Sequence, residues 1–178
     1  MNARLHNSSK PGALRQRGVM SIEMGLVMPF VILLLLGMVD LSRMHLAGRK
    51  AVTAAQSAAD LVAQETTIDG FRLDDIAAAI RTILEPFPSG SVGFNLISVV
   101  MDADGNTAVD WRYTGGLIDA DMAAPAGAAN LAEPGGSVIA AVVSYQHAPL
   151  FGLFSPMRFS EVALAKPRRV PVIPRIDE

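Results

Sequence analysis

Between Met24 and Val39 the sequence contains no charged and no strongly polar side chain. The wider segment 19–41 is long enough, at about 1.5 Å per residue, to cross a hydrocarbon core of about 30 Å. No other feature constrains the fold as strongly, because a continuous apolar helix of this length is typical of a membrane span. We therefore predict a transmembrane helix at residues 19–41.

Residues 1–18 form a basic leader that precedes this helix. It holds four of the 15 basic residues, Arg4, Lys10, Arg15 and Arg17, whereas all 17 acidic residues follow it. Its polar composition through Arg17 predicts a disordered segment, and its lack of acids favours a cytoplasmic N-terminus. The acidic excess beyond residue 18 argues against nucleic acid as a partner, since polyanion binding needs a basic surface. The absence of cysteine excludes disulfides and thiol chemistry.

A cleaved secretory signal peptide is the alternative to a retained helix, since its charged first part looks the same. Two observations argue against it. The apolar run is longer than that of an ordinary signal peptide, and no site with two small residues follows Val39, where Asp40, Arg43 and Met44 stand instead.

Residues 42–66 predict an extramembrane continuation of the same helix, because they contain no proline and many good helix formers. Apolar residues recur there at steps of three and four and form one stripe, made mostly of alanine. The stripe comprises Leu41, Met44, Ala47, Ala51, Ala54, Ala58, Leu61 and Val62. It is either the contact with the protein's own sheet, which we favour, or a helix–helix interface in an assembly.

Residues 70–165 predict an α+β domain with a short helix and a small antiparallel sheet of three to four strands. The short helix spans Leu73 to Glu85 and is ended by Pro86 and Pro88. The predicted strands begin at Val92, Thr107, Ser137 and, as an edge strand, Met157, and the predicted turn runs from Asp102 to Asn106. The segment 117–136 reads as a loop or a short weak helix, 148–156 as a loop with apolar anchors, and 166–178 as an extended tail rich in Pro and Arg. The sheet is expected to pack on the outer half of the long helix.

Candidate sites for chemistry are few. Asp102, Asp104 and Asn106 alternate as in a calcium loop, but Tyr113 stands where the distal glutamate is needed, so we favour a strand-joining turn. The three histidines, His6, His45 and His147, are isolated from other metal ligands and are expected at surface or edge positions.

Trp111 and Tyr113 fit either the core or a contact surface.

No catalytic constellation and no cofactor-binding motif is present in the sequence, so we expect neither an enzyme nor a cofactor, and a membrane-anchored hydrolase has no support.

Glu23 is the sharpest candidate, because a carboxylate inside an apolar span costs up to a few kcal/mol and is usually partnered. Gly18 lies five positions earlier, directly after the basic leader. Cleavage after Gly18 would create a new amino group on Val19. That cation could pair with Glu23 on its own helix, at a spacing of four residues, or with Glu23 of a neighbouring chain. Glu23 could instead simply extend its carboxylate to the lipid headgroups.

The segment RGVMSIEMGLVMPFVILLLLGMVDLSR, followed by AVTAAQSAADLVAQ, resembles the TadE family of minor pseudopilins in tight-adherence (Flp-type) pilus systems. The matching residues are Gly18, Glu23, Pro29 at the start of a leucine run, and the pair Gly37 and Asp40. Two later segments, VVMDADGNTAVDW and VIAAVVSYQHAPLF, resemble that family's hairpin and a strand that leads into a loop. The residues of that last motif are Tyr145, Pro149, Leu150 and Phe151.

The resemblance implies a structural protein of the inner membrane that helps to assemble or initiate an adhesive pilus. It implies cleavage between Gly18 and Val19 by a prepilin peptidase and an assembly contact at Glu23. Its partners would be that peptidase, other pilins and pilus assembly proteins, with the C-terminal domain in the periplasm or outside the cell. The alternative from another class is an uncleaved, signal-anchored module that binds a ligand in the periplasm.

Overall fold

The computed structural model describes residues 12–176, with side chains from Met20 onward. Two larger helices, one short helix and four strands follow one another along the chain and give an α+β fold, as predicted. The helices are α1 (Gly12–Ala63), α2 (Gly70–Leu84) and α3 (Ala126–Leu131), and the strands are β1 (Val92–Met101), β2 (Thr107–Gly116), β3 (Ser137–His147) and β4 (Met157–Ala165).

Helix α1 is a single helix of 52 residues, about 78 Å long. It continues through Pro29 and ends at Ala63, three residues before the predicted end at residue 66. The prediction of a disordered leader through Arg17 was wrong for residues 12–17, which are helical; residues 1–11 lie outside the described range. Adding residues to an existing helix is far cheaper than nucleating one, and Ala13, Leu14 and Gln16 suit a helix.

The outer half of α1 packs on the sheet and on α2 through its alanine stripe. This observation decides between the two interpretations of the stripe, since its members from Ala47 onward are buried in the protein's own core, apart from the partly buried Leu61. The fully buried residues of this half are Ala47, Ala51, Ala54, Ala55, Ala58, Ala59, Val62 and Ala63. Small side chains let the strands approach closely: a Cβ placed on Gly48 would lie 3.3 Å from the ring of Phe159 on β4.

Helix α2 begins at Gly70, three residues before the predicted start, because Asp69 caps it. The Asp69 carboxylate accepts a hydrogen bond of 2.7 Å from the backbone N–H of Arg72 and so satisfies one of the free amides of the first turn. Leu73, Ile76 and Ile80 form its buried face, which matches the apolar face expected from the sequence.

The sheet is antiparallel with the strand order β2-β1-β3-β4, so β4 is an edge strand as predicted. Strand β3 lies inside the sheet and is buried on both faces. Ile139, Ala141, Val143 and Tyr145 join the core under the helices, whereas Val138 and Ala140 pack with Ala128 of α3 on the opposite face. The segment 117–136 is therefore a loop that contains one short helix, and that helix covers the second face of the sheet.

The C-terminal segment 166–176 forms no helix and no strand of the sheet, and it bends at residues 168–172, so the prediction of an extended tail was wrong for that part. The segment is packed against the domain. Ile173 is fully buried, and its carbonyl accepts a hydrogen bond of 2.8 Å from the Trp111 indole. Residues 68 and 175 form a parallel bridge, and the N–H of Arg168 donates to the carbonyl of Ala63 at the end of α1. The segment therefore ties the outer end of α1 to the sheet.

Candidate functional site

The first half of α1 projects from the folded domain and exposes its apolar side chains on all sides. Every residue from Met20 to Leu35 is exposed. Among residues 12–176, α1 is the one helix long and apolar enough to cross a membrane, and none of its most apolar window is buried inside the protein. So much exposed apolar surface is costly in water and is typical of a segment that lies in lipid.

Gly18, Val19 and Glu23, the residues predicted from the sequence, all lie on this half of α1. The Gly18–Val19 peptide bond is inside the helix. Glu23 is exposed, and no ion pair of the described residues includes it. The helix places residues 19 and 23 about one turn apart on the same face, which is the spacing that a pair between a new amino terminus and Glu23 requires.

The opposite end of the apolar segment is marked by Asp40, whose side chain is only 1% exposed. Its Oδ1 accepts hydrogen bonds from the backbone N–H groups of Leu150 at 2.8 Å and Phe151 at 3.3 Å, and Oδ2 accepts from Phe151 at 3.3 Å. A buried carboxylate is tolerated when such donors replace its water. Asp40 therefore holds the loop 148–156, which connects β3 to β4, against the point where the apolar segment ends.

A cluster of aromatic and basic side chains lies beside this anchor. The Arg43 guanidinium, one turn after Asp40, lies 5.7 Å from the centre of the Phe87 ring. Phe87 in turn contacts Tyr145 and His147, with ring centres 5.4 and 5.9 Å apart. Phe87, Tyr145 and His147 are at most 5% exposed. The cluster joins α1, the segment after α2 and the end of β3 into one packed junction.

Burial controls the titration of this cluster. It lowers the pKa of His147 below its ordinary value; the positive charge of Arg43 lowers it further, while Asp40 opposes the shift. Neither ring nitrogen of His147 has a hydrogen-bond partner among the described residues. Burial also raises the pKa of Tyr145. Both groups are therefore neutral at pH 7.

The expectation of a surface or edge position was wrong for His147. It ends an interior strand and is buried by Phe87 and Tyr145, because the neighbouring loop folds back towards α1. His45 is exposed, as expected, and His6 lies outside the described residues. Among residues 12–176, no group of three His, Asp or Glu side chains is placed to hold a metal ion.

The alternating Asp102, Asp104 and Asn106 form the strand-joining turn that we favoured. The Asp102 carboxylate accepts from the backbone N–H groups of Asp104 at 2.9 Å and Asn106 at 2.8 Å, and Gly105 has a φ of 87°. The Asn106 side chain also donates a hydrogen bond to the Asp102 carboxylate. This bond makes the largest contribution to lowering the pKa of Asp102, and the backbone hydrogen bonds lower it further.

Trp111 and Tyr113 belong to the packing of the domain. Trp111 is buried, and the Tyr113 ring stacks on Phe94 while its hydroxyl donates to Asp74. This hydrogen bond also raises the pKa of Tyr113.

The contact between Asp40 and the loop was missed in the sequence, although both motifs had been noticed. Asp40 was identified with Gly37, and Leu150 and Phe151 were identified with Tyr145 and Pro149, as separate points of resemblance. The structure joins them across 110 positions of the chain. The available signal was Asp40 itself, a single acidic residue directly after the uncharged segment 24–39, which indicates a carboxylate that needs a partner.

Residues 18–60 match the family model described as "TadE-like protein". No curated protein and no solved structure matches the chain. The match covers the exposed apolar half of α1, Asp40 and most of the alanine stripe, and it confirms the resemblance over these residues. The two later segments, 99–111 and 138–151, lie outside the match, so their resemblance to the family stays a prediction. Over residues 18–60, about a quarter of the chain, the sequence is thus similar to TadE-like proteins, and this similarity and the exposed apolar helix fit a membrane-anchored protein associated with Tad pili.

Proposed function

We propose that this protein is a single-pass, pseudopilin-like component of the inner membrane that helps to assemble or initiate an adhesive Tad (Flp-type) pilus. The observation that carries the proposal is the position of the TadE-like match on an exposed apolar helix. The role is structural: α1 supplies contacts within the membrane, and the α+β domain meets other pilins and pilus assembly proteins. The acid-free leader favours a cytoplasmic N-terminus, with the domain in the periplasm or outside the cell.

The proposal includes cleavage between Gly18 and Val19 by a prepilin peptidase. The family match begins at Gly18, the residue of the proposed cut. This peptide bond lies within α1, so the helix has to open locally before a peptidase can act on an extended chain. Glycine in a helix interior costs about 0.5–1 kcal/mol relative to alanine, and Gly18 therefore eases that opening.

A pair of matched variants tests the cleavage. Gly18→Leu stiffens the helix and fills the position before the cut, so the protein should stay at its precursor length on an immunoblot of membranes. Gly25→Leu is the control, because a Cβ at Gly25 has no atom within 4 Å and this position lies beyond the cut. Normal processing of Gly18→Leu would overturn the assignment of the site.

The assembly contact is proposed at Glu23, through the new amino group of Val19 on the same or a neighbouring helix. Glu23→Gln keeps the size of the side chain and removes its charge, so it should abolish or strongly reduce piliation while processing continues. Asp60→Asn is the matched control, because Asp60 is an exposed acid on the outer half of the same helix and its ion pair with Arg168, at 2.8 Å, is exposed and adds little to stability. Wild-type numbers of pili in cells with Glu23→Gln, counted by electron microscopy, would contradict the pairing.

A further inference from the structure

The loop 148–156 carries an exposed apolar cluster that the proposed function does not use. From Ala148 to Met157 the sequence has no charged residue. Four large apolar side chains of this loop are 42–59% exposed: Leu150, Phe151, Leu153 and Phe154. A loop that exposes several large apolar side chains together is more often a binding surface than a loop that only faces water.

The position of the loop identifies what it contacts. Asp40 holds the backbone of Leu150 and Phe151, and from there the loop runs along α1 towards the apolar segment. A Cβ placed on Gly37 would lie 3.9 Å from Cδ1 of Leu153. Gly37 is three residues before Asp40, or about 4.5 Å closer to the N-terminus along the helix axis. Leu36 and Gly37 are partly covered, whereas Met38 and Val39 are exposed.

We propose that the loop 148–156 inserts into the lipid surface at the point where α1 leaves the membrane, and so forms a second membrane contact. This inference rests on the proposed membrane span, and the geometry follows from it. If the uncharged segment through Val39 lies in hydrocarbon, then Leu153, which is level with Gly37, lies at the same depth. The occupant of the apolar surface is lipid, because that surface is continuous with the exposed apolar surface of α1.

The charges beside the loop agree with this placement. The first charged residue after the loop is Arg158, which is exposed at the start of β4 and pairs in the sheet with Gln146. Arg43, by contrast, packs on Phe87 inside the junction. A basic side chain at the position of Arg158 suits lipid headgroups, while the apolar tips of the loop reach the acyl chains. Two contacts with the membrane would fix the orientation of the domain on its surface.

Site-directed spin labelling of the full chain in bilayers of phosphatidylethanolamine and phosphatidylglycerol tests this inference. The chain has no native cysteine, so single labels can be placed by Leu153→Cys and Phe154→Cys, both at exposed side chains. The collision rates of each label with oxygen, which concentrates in hydrocarbon, and with a water-soluble nickel chelate report its depth. We expect both loop labels to collide more with oxygen than with the chelate. The inference is overturned if they collide more with the chelate, or if both reagents are excluded, because exclusion of both indicates a protein partner.

Two control labels separate this inference from the proposed membrane span. Leu33→Cys lies in the apolar half of α1 and should report hydrocarbon, and Asp104→Cys lies in the exposed turn between β1 and β2 and should report water. A hydrocarbon signal at position 33 together with a water signal at positions 153 and 154 rejects only the loop insertion. A water signal at position 33 rejects the membrane span, and the loop insertion with it.

Discussion

Both halves of α1 are apolar, but they differ in the size and in the exposure of their apolar side chains. From Met20 to Leu35 the helix carries mostly large side chains, and they are exposed in every direction. From Ala47 to Ala63 the buried residues are nearly all alanine and lie on the side that faces the sheet and α2. One continuous helix thus has two surroundings, with Asp40 at the border between them.

The difference shows that side-chain size and periodicity separate a segment for lipid from a segment for a protein core. Lipid surrounds a helix evenly and adapts to large side chains, so the first half needs no stripe. The outer half needs one apolar face that is shallow enough for strands to approach, and alanine provides it. Substitutions that change side-chain size should therefore alter the free energy of unfolding much more in the outer half than in the lipid-facing half.

The largest effect is expected from enlarging the alanine face. Ala51 is fully buried, and Ala51→Leu would force α1 away from the sheet, at a cost of about 3 kcal/mol in the free energy of unfolding. Urea unfolding of the full chain in detergent micelles, followed by the fluorescence of the single tryptophan, Trp111, measures this change.

Two controls accompany the Ala51→Leu variant. Val52→Leu enlarges the next residue, which is exposed, and Leu33→Ala shrinks a residue of the lipid-facing half. Each should change the free energy of unfolding of the domain by less than about 0.5 kcal/mol. An equal loss in Ala51→Leu and Val52→Leu would refute the assignment of the alanine stripe as the close contact.

A smaller loss is expected when the border between the two halves is broken. Asp40→Ala leaves the N–H groups of Leu150 and Phe151 without their acceptor, which should cost about 2 kcal/mol in the same unfolding experiment. Asp104→Ala, in the exposed turn, should have little effect. If Asp40→Ala were as stable as the unchanged protein, the carboxylate would not be what holds the loop.

The smallest effect is a dependence of stability on pH at the junction. The pKa of His147 is lower in the folded protein than in the unfolded chain, because burial and Arg43 oppose its charge. The unfolded chain therefore takes up the proton first as the pH falls. This contribution to stability is complete above about pH 6.5, the ordinary pKa of histidine, and is lost as the pH falls below it towards the folded pKa.

Unfolding measured between neutral pH and pH 5 in His147→Phe checks this sign, because the variant should lose less stability over that interval than the unchanged protein. The variant His45→Asn, which changes an exposed histidine of α1, is measured in parallel. An unchanged pH dependence in His147→Phe would show that another group is responsible.

Local patterns in the sequence were sufficient to predict most of the fold. The alternation in Thr107–Tyr113, the apolar run at Ser137–His147 and the three- and four-residue steps after Leu41 each report their own element, and all three elements exist. The start of α1 was placed too late because an established helix extends into a polar segment at little cost. The sequence could not show whether α3 is a helix or a loop, because this helix is stabilised by its packing on the sheet and not by its own sequence.

Contacts between distant segments were not predictable from those patterns. The hydrogen bonds from Leu150 and Phe151 to Asp40, the burial of Ile173 and the packing of His147 all depend on how the loop and the C-terminal segment fold back. Gly18, Val19 and Glu23 were found from their order along one helix, which a sequence shows directly. Their roles in processing and assembly stay predictions.

The most direct test of this account is the intact mass of the protein extracted from membranes of cells with an active prepilin peptidase. The account predicts a mature chain that begins at Val19, so that the lipid-facing half of α1 starts with a free amino group four residues before Glu23. A chain that still begins at Met1 would contradict the proposed processing, and it would favour an uncleaved, signal-anchored module instead.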